Sequence, residues 1–282
     1  KLLTMEDDVV TQEKLFSLNA QGKAWCGETA WIQPDSKVQT YPAEGKMMTG
    51  GIEPDWWGVK NIFYGEYDPD GRRRVAILTI FDAKTLCPVA IMECLYILNV
   101  RTGAGAAVAT KHLARKDARV IGVLGSGATA WFSLLAHRAI DWPASKVQIY
   151  SRSEERRNTF AEKMSSETGY NVVPVDSAEK VVREAEILIT GTATLEPVLE
   201  ADWVQPGTHV NAMGQKWEID PQLYTRTKNV GDEAMTGITD GKLSVAIEAG
   251  VITKEAMHAG LGEVIEGMKS GRTGEDEITN VL

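Results

Sequence analysis

Several things are scarce in this chain of 282 residues. Its three cysteines, Cys26, Cys87 and Cys94, form no CxxC pair, and its four histidines, His112, His137, His209 and His258, show no metal-ligand spacing. An odd, widely spaced thiol set argues against a disulfide framework and a structural zinc site, so the thiols are expected to pack as small buried apolar groups. The histidines are expected to be hydrogen-bonded structural residues, His209 inside a core strand. No apolar run nears the roughly 18 residues of a membrane span, and Lys1-Leu2-Leu3-Thr4-Met5 lacks the apolar core of a signal peptide. A soluble, cytoplasmic protein is expected, with a stretch preceding Lys1 because the chain does not open on methionine. Positive charge is also in deficit, 30 basic against 39 acidic residues for a formal −9, so no net cationic field gathers nucleic-acid or membrane phosphates. The Gly-x-Ser-x-Gly spacing of a nucleophile elbow is missing, which argues against hydrolase chemistry.

What is present is a hydrophobic content of 43%, enough for a well-buried core, in a length that suits two domains. Up to about residue 100, strand-like runs lie between turn signals: Trp31-Ile32-Gln33, Gly58 to Tyr64, and Arg74 to Phe81. Tyr67-Asp68-Pro69-Asp70-Gly71 joins the last two as a hairpin turn, so this part should be antiparallel. Met92 to Arg115, rich in alanine and free of proline, reads as a linking helix. Beyond it, apolar strands alternate with amphipathic helices, the pattern of a parallel α/β sheet. The strands fall at Val120–Leu124, Val147–Tyr150, Val172–Val175, Ile187–Thr190 and His209–Asn211. The helices fall at Thr129–Ile140, Glu154–Ser166 and Ala178–Glu184, the last capped by Asp176 or Ser177, and a closing helix is expected from Thr253 to Lys269.

The segment from Val120 to Ala130 is an apolar strand that runs into Gly125-Ser126-Gly127-Ala128-Thr129-Ala130 and then into an apolar helix. Gly125 permits a tight turn, Gly127 lets the backbone approach a pyrophosphate, and Ala130 permits close packing of helix on strand. The first helical N–H groups then face the phosphates. Placed at the start of a βα series, this reads as a dinucleotide site made by Gly125, Ser126, Gly127, Ala128 and Thr129. The second strand ends in Tyr150-Ser151-Arg152-Ser153, where a carboxylate would signal NAD. One guanidinium and two hydroxyls suit a 2′-phosphate, with Arg156 and Arg157 as reinforcement, so NADP is expected and NAD is the alternative.

Gly58-Val59-Lys60, Asp82-Ala83 through Asn99-Val100-Arg101-Thr102-Gly103-Ala104, the loop Leu124 to Ala128, Thr208 to Gly214, Gly262 to Gly267 and Asp276 to Thr279 together resemble the ornithine cyclodeaminase and mu-crystallin family. That family includes alanine dehydrogenases, ketimine reductases and other imine-reducing enzymes. The resemblance implies an α/β fold: a smaller α+β substrate and dimerisation domain over residues 1–105, a Rossmann-type doubly wound parallel sheet over 106–252, and a closing helix over about 253–282 that packs back on the first. It implies a homodimer, a small-molecule substrate, and a further cofactor contact beyond Leu282. Lys60 would bind or polarise the substrate, since an ammonium can hold a carboxylate or give a proton to a developing amine. Arg101 and Thr102 would hold cofactor phosphate, Asn211, Met213 and Gly214 would line the cofactor's nicotinamide side, and Thr192 would be a further cofactor contact. Trp56 and Trp57 would wall the cleft, pack in a core or lie in the dimer interface.

Two departures bear on function. Asp35-Ser36-Lys37 stands where the family commonly has an arginine for the substrate carboxylate. Gln215-Lys216-Trp217-Glu218 replaces the stretch where the family has an aspartate serving as base or amine holder, in a shortened loop. Lys216, the second candidate catalytic residue, cannot hold an ammonium, and Glu218 substitutes only if the loop redirects it. The expected activity is an NAD(P)-dependent oxidoreductase acting on the C=N or C–N bond of a small amine, imine or amino acid. The alternatives are a cyclodeaminase-like reaction with recycled NAD and a non-catalytic NADPH or small-ligand binder.

Overall fold

The computed structural model describes residues 3–32, 44–68, 71–232, 238–239 and 241–282. The chain divides into two compact units, Leu18–Leu98 and Lys1–Ser17 with Asn99–Leu282. Helix α1 (Met5–Ala20) and helix α2 (Leu95–Leu113) each run through a division point.

The smaller unit is one antiparallel sheet of β1 (Ala24–Cys26), β2 (Ala30–Ile32), β3 (Glu44–Ile52), β4 (Trp56–Asp68), β5 (Gly71–Asp82) and β6 (Pro88–Glu93). Its order is β1-β3-β4-β5-β6, with β2 paired on β3. The β4–β5 hairpin forms as expected, its last described pair being Asp68 with Gly71. Pro69 and Asp70 of its turn, and Gln33 through Lys37, lie outside the described residues. Strand periodicity sorts the side chains into two faces. Ile62 and Ala76 lie on one face and are buried with Cys94 beneath Leu95, Ile97 and Leu98 of the first turn of α2. That turn starts at Leu95 rather than Met92 because β6 runs to Glu93, whose carboxylate accepts the Leu95 N–H at 2.7 Å. The other face leaves Met47, Trp57, Phe63, Val75, Ile77 and Ile91 exposed, up to 72% at Ile91. Cys26 and Cys87 are exposed, so only Cys94 meets the expectation of a buried thiol.

The larger unit holds an eight-stranded, wholly parallel sheet in the order β13-β12-β14-β11-β10-β7-β8-β9. Its strands are β7 (Val120–Leu124), β8 (Lys146–Tyr150), β9 (Val172–Pro174), β10 (Ile187–Thr190), β11 (His209–Ala212), β12 (Thr227–Gly231), β13 (Met257–Gly260) and β14 (Ile278–Val281). A strand covered on both faces favours apolar residues, and β10 reads Ile-Leu-Ile before Thr190 and is buried at every position. Ile187 and Ile189 face α3 (Ala128–Ala139) and α4 (Glu154–Thr168); Leu188 faces α5 (Ala178–Glu184) and α6 (Lys242–Glu248). Ser177 is the cap of α5, accepting the Lys180 N–H at 3.2 Å.

The closing segment differs from expectation. Thr253 to Lys269 is not one helix but a 3-10 turn at Lys254–Ala256, strand β13, and the five-residue helix α7 (Leu261–Ile265). Residues 257–260 find parallel partners in Asn229–Gly231, and Gly260 then starts α7 with its N–H on the Glu263 carboxylate at 2.8 Å. β14 inserts between β11 and β12, so the segment completes the larger unit's sheet instead of forming a helix over 253–282.

Candidate dinucleotide site and its nicotinamide-side loops

From β9 to β14 the strand order reverses between β7 and β10: α3 leaves β7 on one face of the sheet, and α5 enters β10 on the other. The carboxyl ends of β7 and β10 therefore open into the crevice where doubly wound sheets bind ligands. Gly125 follows β7 with φ 108°, a left-handed conformation that disfavours any side chain, and a Cβ there would lie 2.6 Å from the Gly191 carbonyl. Gly191 in turn sits within 3.1 Å, by its own Cβ direction, of the Ala130 nitrogen. The turn after β7 is thus seated against the end of β10, with Ala130 fully buried beneath it. Gly127 is the exposed N-cap of α3 and offers no side-chain acceptor, so the N–H groups that open α3, at Ala128 and Thr129, are directed out of the turn. An anion fits that position by hydrogen bonding and by the helix dipole.

At the end of β8 the expected residues have divided tasks. The Ser126 hydroxyl donates to Ser151 Oγ at 3.1 Å, which ties the glycine turn to this strand. Ser153 is the N-cap of α4 and accepts the Arg156 N–H at 3.2 Å. Arg157 donates to the Ser151 carbonyl at 3.3 Å and lies 3.9 Å from Glu154. Arg152 and Arg156 are exposed, and the strand ends in Tyr150 and Ser151 rather than a carboxylate.

Helix α2 crosses α3 at Gly103, where a Cβ would collide with the Phe132 backbone. Further along, Thr110 meets His137 at 2.9 Å, so the two helices run the same way. Arg101 and Thr102 accordingly precede the crossing on the side of the α3 N-terminus, both half-buried. The Arg101 charge also reaches Asp8 of α1, whose carboxyl is pushed up by burial and drawn down by that guanidinium.

The loops after β10 and β11 are governed by two residues that their sequence context does not announce. Glu218 is fully buried, and its carboxylate accepts from Thr190 Oγ1 at 2.6 Å, Thr192 N at 3.0 Å, Thr192 Oγ1 at 2.7 Å, Gly214 N at 2.8 Å and Lys242 Nζ at 3.0 Å. Lys242 also donates to the carbonyls of Gly214 at 2.8 Å and Gln215 at 2.7 Å; burial lowers its ammonium's pKa and the Glu218 charge opposes this. Gly214 has no space for a Cβ, which would collide with the Glu218 carboxylate. The Thr192 hydroxyl, expected on the cofactor, is spent on Glu218. Met213 is partly buried, its N–H on the Thr190 carbonyl at 3.0 Å. Lys216 projects from the turn Gln215–Glu218 and lies 5.1 Å from the Trp217 ring centre. No sequence pattern joins Glu218 to Lys242; the one hint is a lysine in the first turn of a helix, where the dipole disfavours it and a partner is needed.

Asn211 corrects an expectation. Its side chain is fully buried and does not line the crevice: it donates to Thr110 Oγ1 at 2.8 Å and meets His209 Nε2 at 3.2 Å. His209 Nδ1 continues to Thr279 Oγ1 at 2.9 Å, while His137 Nδ1 donates to the Ser133 carbonyl at 2.7 Å. Burial pushes His137 down to about 4 and His209 down to about 3, the latter helped by the Arg272 charge. Both are structural, as expected.

In the smaller unit Lys60 sits mid-strand in β4, opposite Met48 and Leu78, on the face that carries Ile62. Burial pushes the Cys94 thiol up and the Lys60 charge draws it back, so the two groups sense each other. Trp56 and Trp57 are exposed, and Trp57 stands edge-on to Trp25 at 5.9 Å. Among the described residues no group of three or more His, Cys, Asp or Glu is poised to hold a metal, and no helix is long and apolar enough to cross a membrane.

The model of the ornithine cyclodeaminase/mu-crystallin family matches residues 6–280. The chain belongs to this family. Among its relatives, an alanine dehydrogenase of Archaeoglobus fulgidus is 32% identical across 99% of this chain and 85% of its own length. Matches to several further curated relatives span 57% to 64% of those proteins. A solved structure of Thermococcus litoralis Delta(1)-pyrroline-2-carboxylate reductase with NADH and L-proline superposes with TM-score 0.89 at 29% identity, covering 100% of this chain and 88% of that one. An archaeal alanine dehydrogenase dimer with bound NAD gives 0.88 at 29%, covering 99% and 86%. In the turn Gln215–Glu218 the carboxylate serves the fold, and the charge left outside its ion pair is that of Lys216.

Proposed function

We propose that the protein is an NAD(P)-dependent oxidoreductase acting on the C=N or C–N bond of a small imine, amine or amino acid. The observation that carries this reading is the Gly125 to Thr129 turn, seated at the point where strand order reverses and leading into an uncapped helix start. The activities of relatives, alanine dehydrogenase and pyrroline-2-carboxylate reductase, agree with it. When bound, the nicotinamide supplies or takes the hydride at the substrate carbon. The N–H groups of Ala128 and Thr129, with Arg101 and Thr102, hold phosphate; Met213 and Gly214 border the nicotinamide side. Lys60 orients the substrate and supplies a proton to the developing amine, and Lys216 contacts the substrate from the turn after β11.

Arg152 and Arg156, exposed beside a strand end without a carboxylate, favour NADP over NAD. The exposed apolar face of the six-stranded sheet favours a homodimer, since an apolar face that size is rarely left to water, and the archaeal relative is a dimer. Free thiols fit a reducing, cytoplasmic setting. A cyclodeaminase reaction is disfavoured, because Glu218 has no lone pair left for a substrate ammonium. The test is NAD(P)H oxidation with cyclic imines and with 2-oxo acids plus ammonia: substrate-dependent oxidation supports the reading, whereas ammonia release from ornithine without net cofactor turnover contradicts it.

A further inference from the structure

The connection after β11 carries two charged side chains, and the structure has spent one of them. Glu218 is enclosed by three side-chain donors and two backbone N–H groups, and its charge is balanced by Lys242, which is itself only 6% exposed. The pair is neutral as a unit and turned inward. Of the two charges in this connection, the one left outside that pair is Lys216's. Glu196, exposed in the connection after β10, forms no ion pair with it.

The turn that presents Lys216 is held at both ends. Gln215 N–H donates to the Thr192 carbonyl at 3.0 Å, and Glu218 N–H closes the turn on the Gln215 carbonyl at 3.2 Å. The Glu218 carbonyl accepts from Val198 at 2.9 Å and Leu199 at 3.2 Å, and Lys242 grips the Gly214 and Gln215 carbonyls. A pinned turn loses little freedom on binding, so the backbone that carries the Lys216 side chain is preorganised. The Trp217 ring beside Lys216 restricts the side chain further.

We propose that Lys216 is a specificity-determining residue of this site, selecting substrates that carry an anionic group beyond the reacting carbon and rejecting those that carry an ammonium there. This rests on the oxidoreductase reading. A carboxylate distal to the C=N carbon gains a charge-assisted hydrogen bond, whereas an ammonium meets like charge, and the Glu218 carboxylate of the same turn is already taken by its five donors.

The experiment compares kcat/KM for paired 2-oxo acids that differ only in a distal carboxylate: 2-oxoglutarate against 2-oxopentanoate, and 2-oxosuccinate against 2-oxobutanoate. Each is mixed with ammonia and NAD(P)H, so that 2-oxo acid, ammonia, NAD(P)H and a proton give amino acid, NAD(P)+ and water. The readout is the ratio of dicarboxylate to monocarboxylate, which cancels any general loss of activity. Wild-type protein should favour the dicarboxylate by about tenfold or more. Lys216→Gln should bring the ratio close to parity, and Lys216→Glu should invert it. Circular dichroism checks that both variants fold. A wild-type ratio near one, or a ratio unmoved by both substitutions, overturns the assignment while leaving the oxidoreductase reading intact. Failure of every 2-oxo acid and cyclic imine to oxidise NAD(P)H overturns both.

Discussion

Acidification from pH 7 to pH 5 is expected to destabilise the larger unit through His137 and His209. Both imidazoles are buried and held neutral, at about 4 and about 3 against an ordinary 6.5. The unfolded chain takes up protons on both near the ordinary value, so their contribution is complete above it and is lost as pH falls toward the folded-state values. Integrating the two shifts over that interval gives a loss of about 4 kcal/mol, roughly 2 from each histidine. That is a large share of the roughly 5–15 kcal/mol by which domains are stable. Glu13 and Glu277, held low by Lys111 with His112 and by Lys228 despite the cost of burial, lose their contribution below this window; Asp8, pushed up by burial, acts in the opposite sense. The assay is urea unfolding by circular dichroism at constant ionic strength across the interval, for wild type and for His209→Gln. The variant should keep about half of the pH dependence whatever its absolute stability. Stability that stays flat from pH 7 to pH 5, or an unchanged slope in the variant, would refute the assignment of these two groups.

Three further outcomes follow from particular contacts. Gly125→Ala places a Cβ 2.6 Å from the Gly191 carbonyl at φ 108°, which is expected to cost about 1–3 kcal/mol and to weaken dinucleotide binding about tenfold or more, as read by fluorescence titration. Glu218→Gln leaves Lys242 charged and unbalanced in the interior, and should cost about 3–5 kcal/mol in urea unfolding, with part recovered in Glu218→Gln/Lys242→Met. Arg152→Glu should reverse a preference for NADPH over NADH, read as the ratio of dissociation constants; an unchanged ratio would remove Arg152 from cofactor selection.

The dinucleotide half was legible wherever local pattern and final environment agree. Val120–Leu124 and Ile187–Thr190 form strands at the expected residues, because a short apolar run is what a strand buried on both faces favours. The glycine turn was legible because each of its small residues answers to a neighbour: Gly125 to Gly191, and Ala130 to the strand beneath. The closing segment was not, since Met257–Gly260 becomes a strand only by parallel pairing with Asn229–Gly231, far away in the chain. The same distance hid the Glu218–Lys242 pair, which converts an apparent candidate base into a clamp on Gly214. Asn211 was a cofactor contact by resemblance alone, and its side chain instead lies in the interior on Thr110, a residue about a hundred positions earlier in the chain.

The most direct test of the account is titration of the protein with NADPH and with NADH, followed by protein fluorescence. Saturable binding of NADPH, tighter than NADH and weakened by Gly125→Ala, is the predicted result. Failure of the folded protein to bind either dinucleotide would contradict the assignment of the crevice, and with it the proposed activity.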